Sequence, residues 1–224
     1  MIKENINCPC LNSCNHIDCD RFCIKRYKVE YYFDQALIFG DKRLKFPLRI
    51  DNDGSDSSVF QELSDLEKNV VNFVSKGENA YIYSQNVGNG KTSWSLRFAI
   101  AYINKTWFNQ DLKPIVLFIS VPRFLLELKS NISDRSSYVD HIMKNVLDCP
   151  LVIWDDIGSK NGTEFEVSHL LSIIDQRIAK NKSNVYTSNL NSEEMHQALG
   201  DRLYSRIVNY SQVYNIKGKD KRGL

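Results

Sequence analysis

Residues 84–92 read Ser84-Gln-Asn-Val-Gly-Asn-Gly-Lys-Thr92. A polyphosphate needs several backbone N–H groups converging on its oxygens, and glycines let the main chain come that close. A short apolar strand, Ala80-Tyr-Ile-Tyr83, leads into this stretch, and a helix is expected from Lys91 to Asn104. The dipole at the start of that helix adds to an anion site. In such a loop Lys91 reaches the β- and γ-phosphates, and the Thr92 hydroxyl ligates Mg²⁺. The cradle is expected to comprise Gln85, Asn86, Val87, Gly88, Asn89, Gly90, Lys91, Thr92 and Ser93. The pattern G-x-x-x-x-G-K-[ST] asks for glycine at position 85, where this chain carries Gln85.

A second constellation follows about sixty residues later. Leu151-Val-Ile-Trp-Asp-Asp156 is an apolar strand ending in two acids. Carboxylates at the C-terminal end of a parallel strand face the same crevice as a phosphate loop on a sister strand. There Asp155 would hold Mg²⁺, directly or through water, and Asp156 would orient or activate an attacking water. A simple Asp-Asp turn before Gly158 is the structural alternative. Loop and acids together point to nucleoside triphosphate chemistry.

A third cluster lies near the N-terminus. Cys8, Cys10, Cys14, Cys19 and Cys23 fall within sixteen residues, with His16 among them. Tetrahedral Zn²⁺ takes four soft or imidazole ligands, commonly paired on short loops. Cys10/Cys14 and Cys19/Cys23 form two such pairs, with Cys8 and His16 as competing ligands. A four-cysteine iron–sulfur cluster and unligated thiols are the alternatives. No catalytic acid stands among these residues, so a bound metal would be structural.

The elements that must position these groups are legible from composition and periodicity. The chain has 224 residues, 42% hydrophobic and 25% charged, which suits one α/β domain plus a small appendage. Lys plus Arg number 29 against 27 Asp plus Glu, a formal charge of +2, which argues against a polybasic mode of nucleic-acid binding. Apolar runs such as Ile115–Ile119 are far too short to span a bilayer, and no hydrophobic signal core follows Met1. A cytoplasmic location without membrane contact is therefore expected.

Residues 1–40 are expected to form a Cys-rich zinc-binding module whose helix, over Val29–Phe39, docks the cysteine knot. Residues 41–58, small, polar and charged, read as a flexible linker, and 59–224 as the nucleotide-binding domain. There helical spacing over Val59–Ser75, Lys91–Asn104, Pro122–Ser130 and Phe165–Lys180 alternates with strands at Ala80–Tyr83, Pro114–Ser120, Pro150–Trp154 and Val185–Ser188. Two short helices, Glu193–Leu199 and Arg202–Val208, precede a strand over Gln212–Ile216. Apolar strands separated by helices imply a parallel sheet covered on both faces. Trp94, Trp154 and Cys149 are expected in the core. His141, His169 and His196 lack metal partners at helical spacing.

Four segments, Val87-Gly-Asn-Gly-Lys-Thr92, Leu151-Val-Ile-Trp-Asp-Asp-Ile-Gly158, Tyr186-Thr-Ser-Asn189 and Leu199-Gly-Asp-Arg-Leu-Tyr-Ser-Arg-Ile207, occur in an order that resembles the AAA+ ATPases of the DnaC/DnaI helicase-loader family. The related IstB transposition helpers share it. The likeness covers about residues 75–224. It implies an AAA+ P-loop fold binding ATP and Mg²⁺, with Asn189 as the sensor-1 amide. Arg206 falls at the position of an arginine finger that reaches a neighbouring subunit's nucleotide, with Arg202 as its rival. Arg222 falls near a sensor-2 arginine.

The leading expectation from this likeness is an ATP-dependent loader of a hexameric replicative DNA helicase. It would bind the helicase through its N-terminal module, bind single-stranded DNA through the AAA+ domain, and self-associate into an arc or ring. A phage or mobile-element version fits the compact length. The alternatives are an IstB-like transposition helper and a nucleotide-binding but non-hydrolysing interaction protein, the latter favoured by Gln85.

Overall fold

Successive residues of an extended strand point to opposite sides, so a strand buried on both faces is apolar throughout. The computed structural model describes residues 10, 23–40, 54, 56–108, 112–130, 135–159 and 162–220. In it five strands form one sheet, with β2 and β3 closest to that pattern: β1 (Asn79–Tyr83), β2 (Val116–Ser120), β3 (Leu151–Asp155), β4 (Ser183–Ser188) and β5 (Gln212–Asn215). All pair in parallel, in the order β2-β3-β4-β1-β5.

One face carries Ala80, Ile82, Val116, Phe118, Leu151, Ile153, Val185 and Tyr214. It packs beneath α1 (Ile24–Gln35), α2 (Ser57–Lys68), α3 (Val70–Ser75) and α4 (Lys91–Thr106). The alternate residues, among them Leu117, Val152, Trp154 and Tyr186, face α5 (Val121–Ser130), α6 (Ser137–Asn145), α7 (Glu164–Ala179) and α8 (Ser192–Val208). The expected α/β architecture with a doubly covered parallel sheet is therefore present. Trp94, Trp154 and Cys149 are buried as anticipated. Among the described residues, no helix is long and apolar enough to cross a membrane.

Local chemistry sets the helix starts around the site. Thr163 with Glu166 and Asn191 with Glu194 form capping boxes at α7 and α8, each satisfying backbone N–H groups the helix itself leaves open. Gly200, at φ 72° and ψ 165°, breaks α8 into the two short helices the sequence suggests. The helix expected over Val59–Ser75 is interrupted at Asn69, giving α2 and α3. The sequence reading passed over α6, although Ser136 caps it by accepting from the Val139 N–H.

The N-terminal third departs from expectation in where its elements begin and end. The helix expected over Val29–Phe39 spans Ile24–Gln35 and contributes Val29, Tyr32 and Phe33 to the core cluster that also holds Cys10, Phe98, Ile103 and Phe118, while Cys8, Cys14, His16 and Cys19 lie outside the described residues. The Phe118 N–H donates to the Ala36 carbonyl at 2.9 Å, which covers part of the open edge of β2. The flexible linker expected to reach Ser58 does not extend that far, because Asp56 is fully buried and α2 begins at Ser57. Burial of an acid among hydrogen-bond donors from distant sequence is invisible to a local reading.

At the end of the sheet away from the phosphate loop, Arg177 is fully buried. Its guanidinium donates to the side-chain oxygen of Asn184 at 2.6 Å and to the carbonyls of Cys149 (2.9 Å), Ser183 and Val146. Asn184 also accepts from the Trp154 indole at 3.1 Å and donates to Asn79 at 2.8 Å. Burial lowers the Arg177 pKa to about 10, so the side chain stays charged at neutral pH. It ties α7 to β4 and to the turn before β3. Arg177→Ala would strand several buried carbonyls, and urea unfolding should show a loss of about 3–5 kcal/mol. A loss below about 1 kcal/mol would contradict this role.

Candidate functional site

The strand order places β4 between β1, which carries the phosphate loop, and β3, which carries the two acids. Tyr83 pairs with Ser188 across β1 and β4, and Trp154 with Tyr186 across β3 and β4. The three strand ends therefore emerge side by side. A cleft of about 350 Å³ opens there, lined by Val87, Gly88, Asn89, Gly90, Lys91, Thr92, Ser93, Asp155, Asp156, Thr187 and Asn189.

Within the loop, Gly88 and Gly90 take φ of 73° and 106°, the left-handed region that side chains resist. The glycines therefore sit where the backbone needs them. Gln85 is exposed and lies outside the positive-φ region, so the glycine of the full pattern is not required for this loop shape. Ser84 anchors the turn: its N–H donates to the Ser188 carbonyl at 3.1 Å, and its hydroxyl accepts from the Asn86 N–H at 3.1 Å and from the Asn89 amide.

Lys91 is nearly buried, at 7% exposure. Its ammonium donates to the carbonyl of Asn86 at 2.8 Å, to the Asn89 side-chain oxygen at 3.2 Å and to the Ser84 carbonyl at 3.3 Å. Three converging oxygens offset the desolvation of this ammonium.

Asp155 is the hub of the opposite wall. One of its oxygens accepts from the Thr92 hydroxyl at 3.0 Å and from the Thr187 hydroxyl at 2.8 Å. Hydroxyl and carboxylate oxygens in contact are the hard donors that Mg²⁺ prefers, so the donor set at Thr92 and Asp155 fits that ion. Asp156 adopts φ 61°, a conformation Asp tolerates better than most residues. This bends the chain so that the Asp156 N–H donates to the Thr187 hydroxyl at 2.9 Å, and the Ile157 N–H to the Thr187 carbonyl at 2.9 Å. The Asn189 amide donates to the Asp156 carboxylate at 2.9 Å. Phosphate loop, acids and Asn189 thus meet in one cleft.

Other candidates lie elsewhere. Arg206 is hydrogen-bonded to Asp175 on α7 and lies over the Tyr210 ring, outside the cleft lining. Arg202 is exposed on α8. Arg222, Cys8, Cys14, His16 and Cys19 fall outside the described residues. Cys10 is buried among the apolar residues packed around α1, and Cys23 precedes that helix. Among the described residues, no group of three or more His, Cys, Asp or Glu side chains could hold a metal ion. The sequence reading missed Thr187 and Ser84 as site residues. The only local signal for Thr187 was a hydroxyl one residue from the end of an apolar strand, beside Asn189.

A larger cleft of about 890 Å³ lies near the starts of β2 and β3, lined by residues that include Tyr31, Lys113, His141 and Lys144. Among the described residues its lining holds no glycine, so size does not make it the nucleotide site.

Comparison with known proteins agrees with this geometry. Residues 51–223 match the family described as IstB-like ATP binding protein. The replicative helicase loader DnaC of Escherichia coli K12 is 22% identical over 151 residues, which are 67% of this chain and 56% of that protein. The match thus spans little more than half of the curated relative's length. Among solved structures, the DnaC helicase loader superposes with a TM-score of 0.60 at 20% identity, covering 75% of this chain and 93% of that one. A primosome component from Streptococcus pyogenes serotype M3 reaches 0.62 at 18% identity, covering 86% and 98%. At these identities the superpositions speak to the fold.

Thr187→Val keeps the branched shape and removes the hydroxyl that braces Asp155 and the Asp156 N–H. Steady-state nucleotide turnover should fall by about tenfold with the melting temperature little changed. Unaltered turnover would remove Thr187 from the site.

Proposed function

The chain belongs to the IstB-like ATP binding protein family, and on that premise we propose that it hydrolyses ATP to load a replicative DNA helicase. The hydrolytic part is carried by one observation, the 3.0 Å contact between Thr92 and Asp155. It joins the phosphate loop to the acid strand and supplies two adjacent oxygen donors. The loader part is supported by similarity to DnaC, described as a replicative helicase loader.

In this reading Lys91 exchanges its carbonyl partners for the β- and γ-phosphate oxygens. The backbone around Gly88 and Gly90 and the start of α4 receive the remaining charge. Gln85, Asn86, Val87, Asn89 and Ser93 complete the cradle. Thr92 and Asp155 would hold Mg²⁺, which when bound neutralises phosphate charge and fixes the polyphosphate's orientation. Asp156 accepts the proton of the attacking water on its carboxylate, and Asn189 keeps that carboxylate aimed while adding no negative charge of its own. This polar pairing is why the hydrolytic reading is preferred over a non-hydrolysing one.

Arg206 serves as the arginine finger of a neighbouring protomer in an arc or ring, where it stabilises charge in the transition state. Its present partner, Asp175, forms a half-exposed pair with it. Pairs of that kind are weak, so a triphosphate can displace Asp175. Arg222 would approach the same nucleotide from the tail. Residues 1–40 engage the hexameric helicase, the AAA+ domain binds single-stranded DNA, and the protein works in the cytoplasm. Zinc on Cys10, Cys14, Cys19 and Cys23 rests on their spacing.

Mass photometry of the chain mixed with its host's hexameric replicative helicase tests the loader assignment. A discrete complex with several copies per hexamer is expected with ATP, and the ATP dependence should vanish for Lys91→Ala. Absence of any complex at micromolar concentrations would contradict loading and favour the transposition helper that shares this ATPase centre.

A further inference from the structure

Asp56 is fully buried at the N-cap position of α2, yet its carboxylate makes no bond to that helix. It accepts instead from two backbone groups about 160 residues away: the Lys217 N–H on one oxygen and the Gly218 N–H on the other, both at 2.7 Å. Short bonds to an ionised acceptor are the strong kind, and the adjoining helix start favours the negative charge. An N-cap acid turned away from its own helix is spending its hydrogen bonds on the C-terminal segment.

That segment is also tied to the phosphate loop. Beyond β5, the Ile216 N–H continues the ladder by donating to the Tyr83 carbonyl at 3.0 Å. The Asn86 amide donates to the carbonyls of Lys217 (3.0 Å) and Gly218 (3.1 Å). The buried Asn89 amide donates to the Ile216 carbonyl at 3.2 Å. Asn86 and Asn89 are the same two residues whose oxygens receive the Lys91 ammonium. A continuous polar chain therefore runs from Asp56 through residues 216–218 and the two asparagines to Lys91.

We propose that Asp56 is a positioning residue of the nucleotide site: it holds residues 216–218 as a strap behind the phosphate loop and, through Asn86 and Asn89, sets where Lys91 waits for phosphate. The inference rests on the reading of this loop as an ATP site. It adds a structural element, the C-terminal strap, whose order is coupled to nucleotide occupancy. Because coupling between sites is reciprocal, nucleotide must in turn steady the strap.

The test uses the full chain and the non-hydrolysable analogue AMPPNP with Mg²⁺. Asp56→Asn sets an NH₂ against one of the two N–H donors and should raise the Kd about tenfold, with a cooperative melt retained. Asn86 is exposed, so Asn86→Ala leaves the fold intact and should raise the Kd about threefold. Since both act through one strap, the double variant should fall short of the product of the single effects. In the wild type, AMPPNP should slow hydrogen exchange across residues 212–220, and Asn86→Ala should weaken that protection. Should Asp56→Asn not fold, Asn86→Ala and the exchange data decide. Kd changes under about twofold in both variants, multiplicative effects, or unchanged exchange would overturn the proposal. No AMPPNP binding by the wild type would instead overturn the nucleotide reading itself.

Discussion

Asp155 accepts two hydroxyls on one oxygen, from Thr92 on the phosphate loop and Thr187 on the strand between, and the site is organised about that contact. It can form only because β4 is inserted between β1 and β3 in parallel register with both. Hydrogen-bonded strands lie about 4.8 Å apart, so an acid two strands from the phosphate loop needs an intermediate group to hold it against the loop's first helical turn. Thr187 is that group, and its hydroxyl and carbonyl also receive the backbone N–H groups of Asp156 and Ile157. The left-handed Asp156 that follows is held by those bonds, and Asn189 closes the arrangement. Removing the middle strand's polar tip would leave loop and acids as separate features.

The electrostatic state of the cleft follows from the same geometry. Lys91 donates to three oxygens of the loop it belongs to, which offset the desolvation of its ammonium. Arg177, by contrast, is a permanently buried cation with carbonyl and amide partners far from the cleft. It fixes the base of the same sheet whose upper end forms the site.

Much of this was readable from residue order. The phosphate loop, the acid-bearing strand and the alternation of helix and strand rest on local patterns of two to eighteen residues, and such patterns survive folding. Gly200 was legible as a break between two short helices for the same reason. What escaped the sequence depends on distant partners. Thr187 looks like an ordinary strand residue until β3 is beside it. Asp56, in a run of small polar residues, reads as solvent-exposed linker because the N–H groups that bury it come from Lys217 and Gly218. The helix expected over Val29–Phe39 starts earlier, at Ile24, and its apolar side shares one core cluster with β2, α4 and Cys10, a packing that no local pattern prescribes. The Gln85 departure carries little weight, because the backbone there does not take positive φ.

The most direct test of the account is a paired measurement on Asp156→Asn: AMPPNP affinity by calorimetry, and Mg²⁺-dependent release of phosphate from ATP. The account predicts affinity close to wild type, because Lys91 and the glycine loop remain, with hydrolysis lowered by about a hundredfold or more. Hydrolysis that survives the substitution would contradict the assignment of Asp156 as the group that takes the water's proton, and with it the reading of the β3 and β4 tips as a catalytic centre.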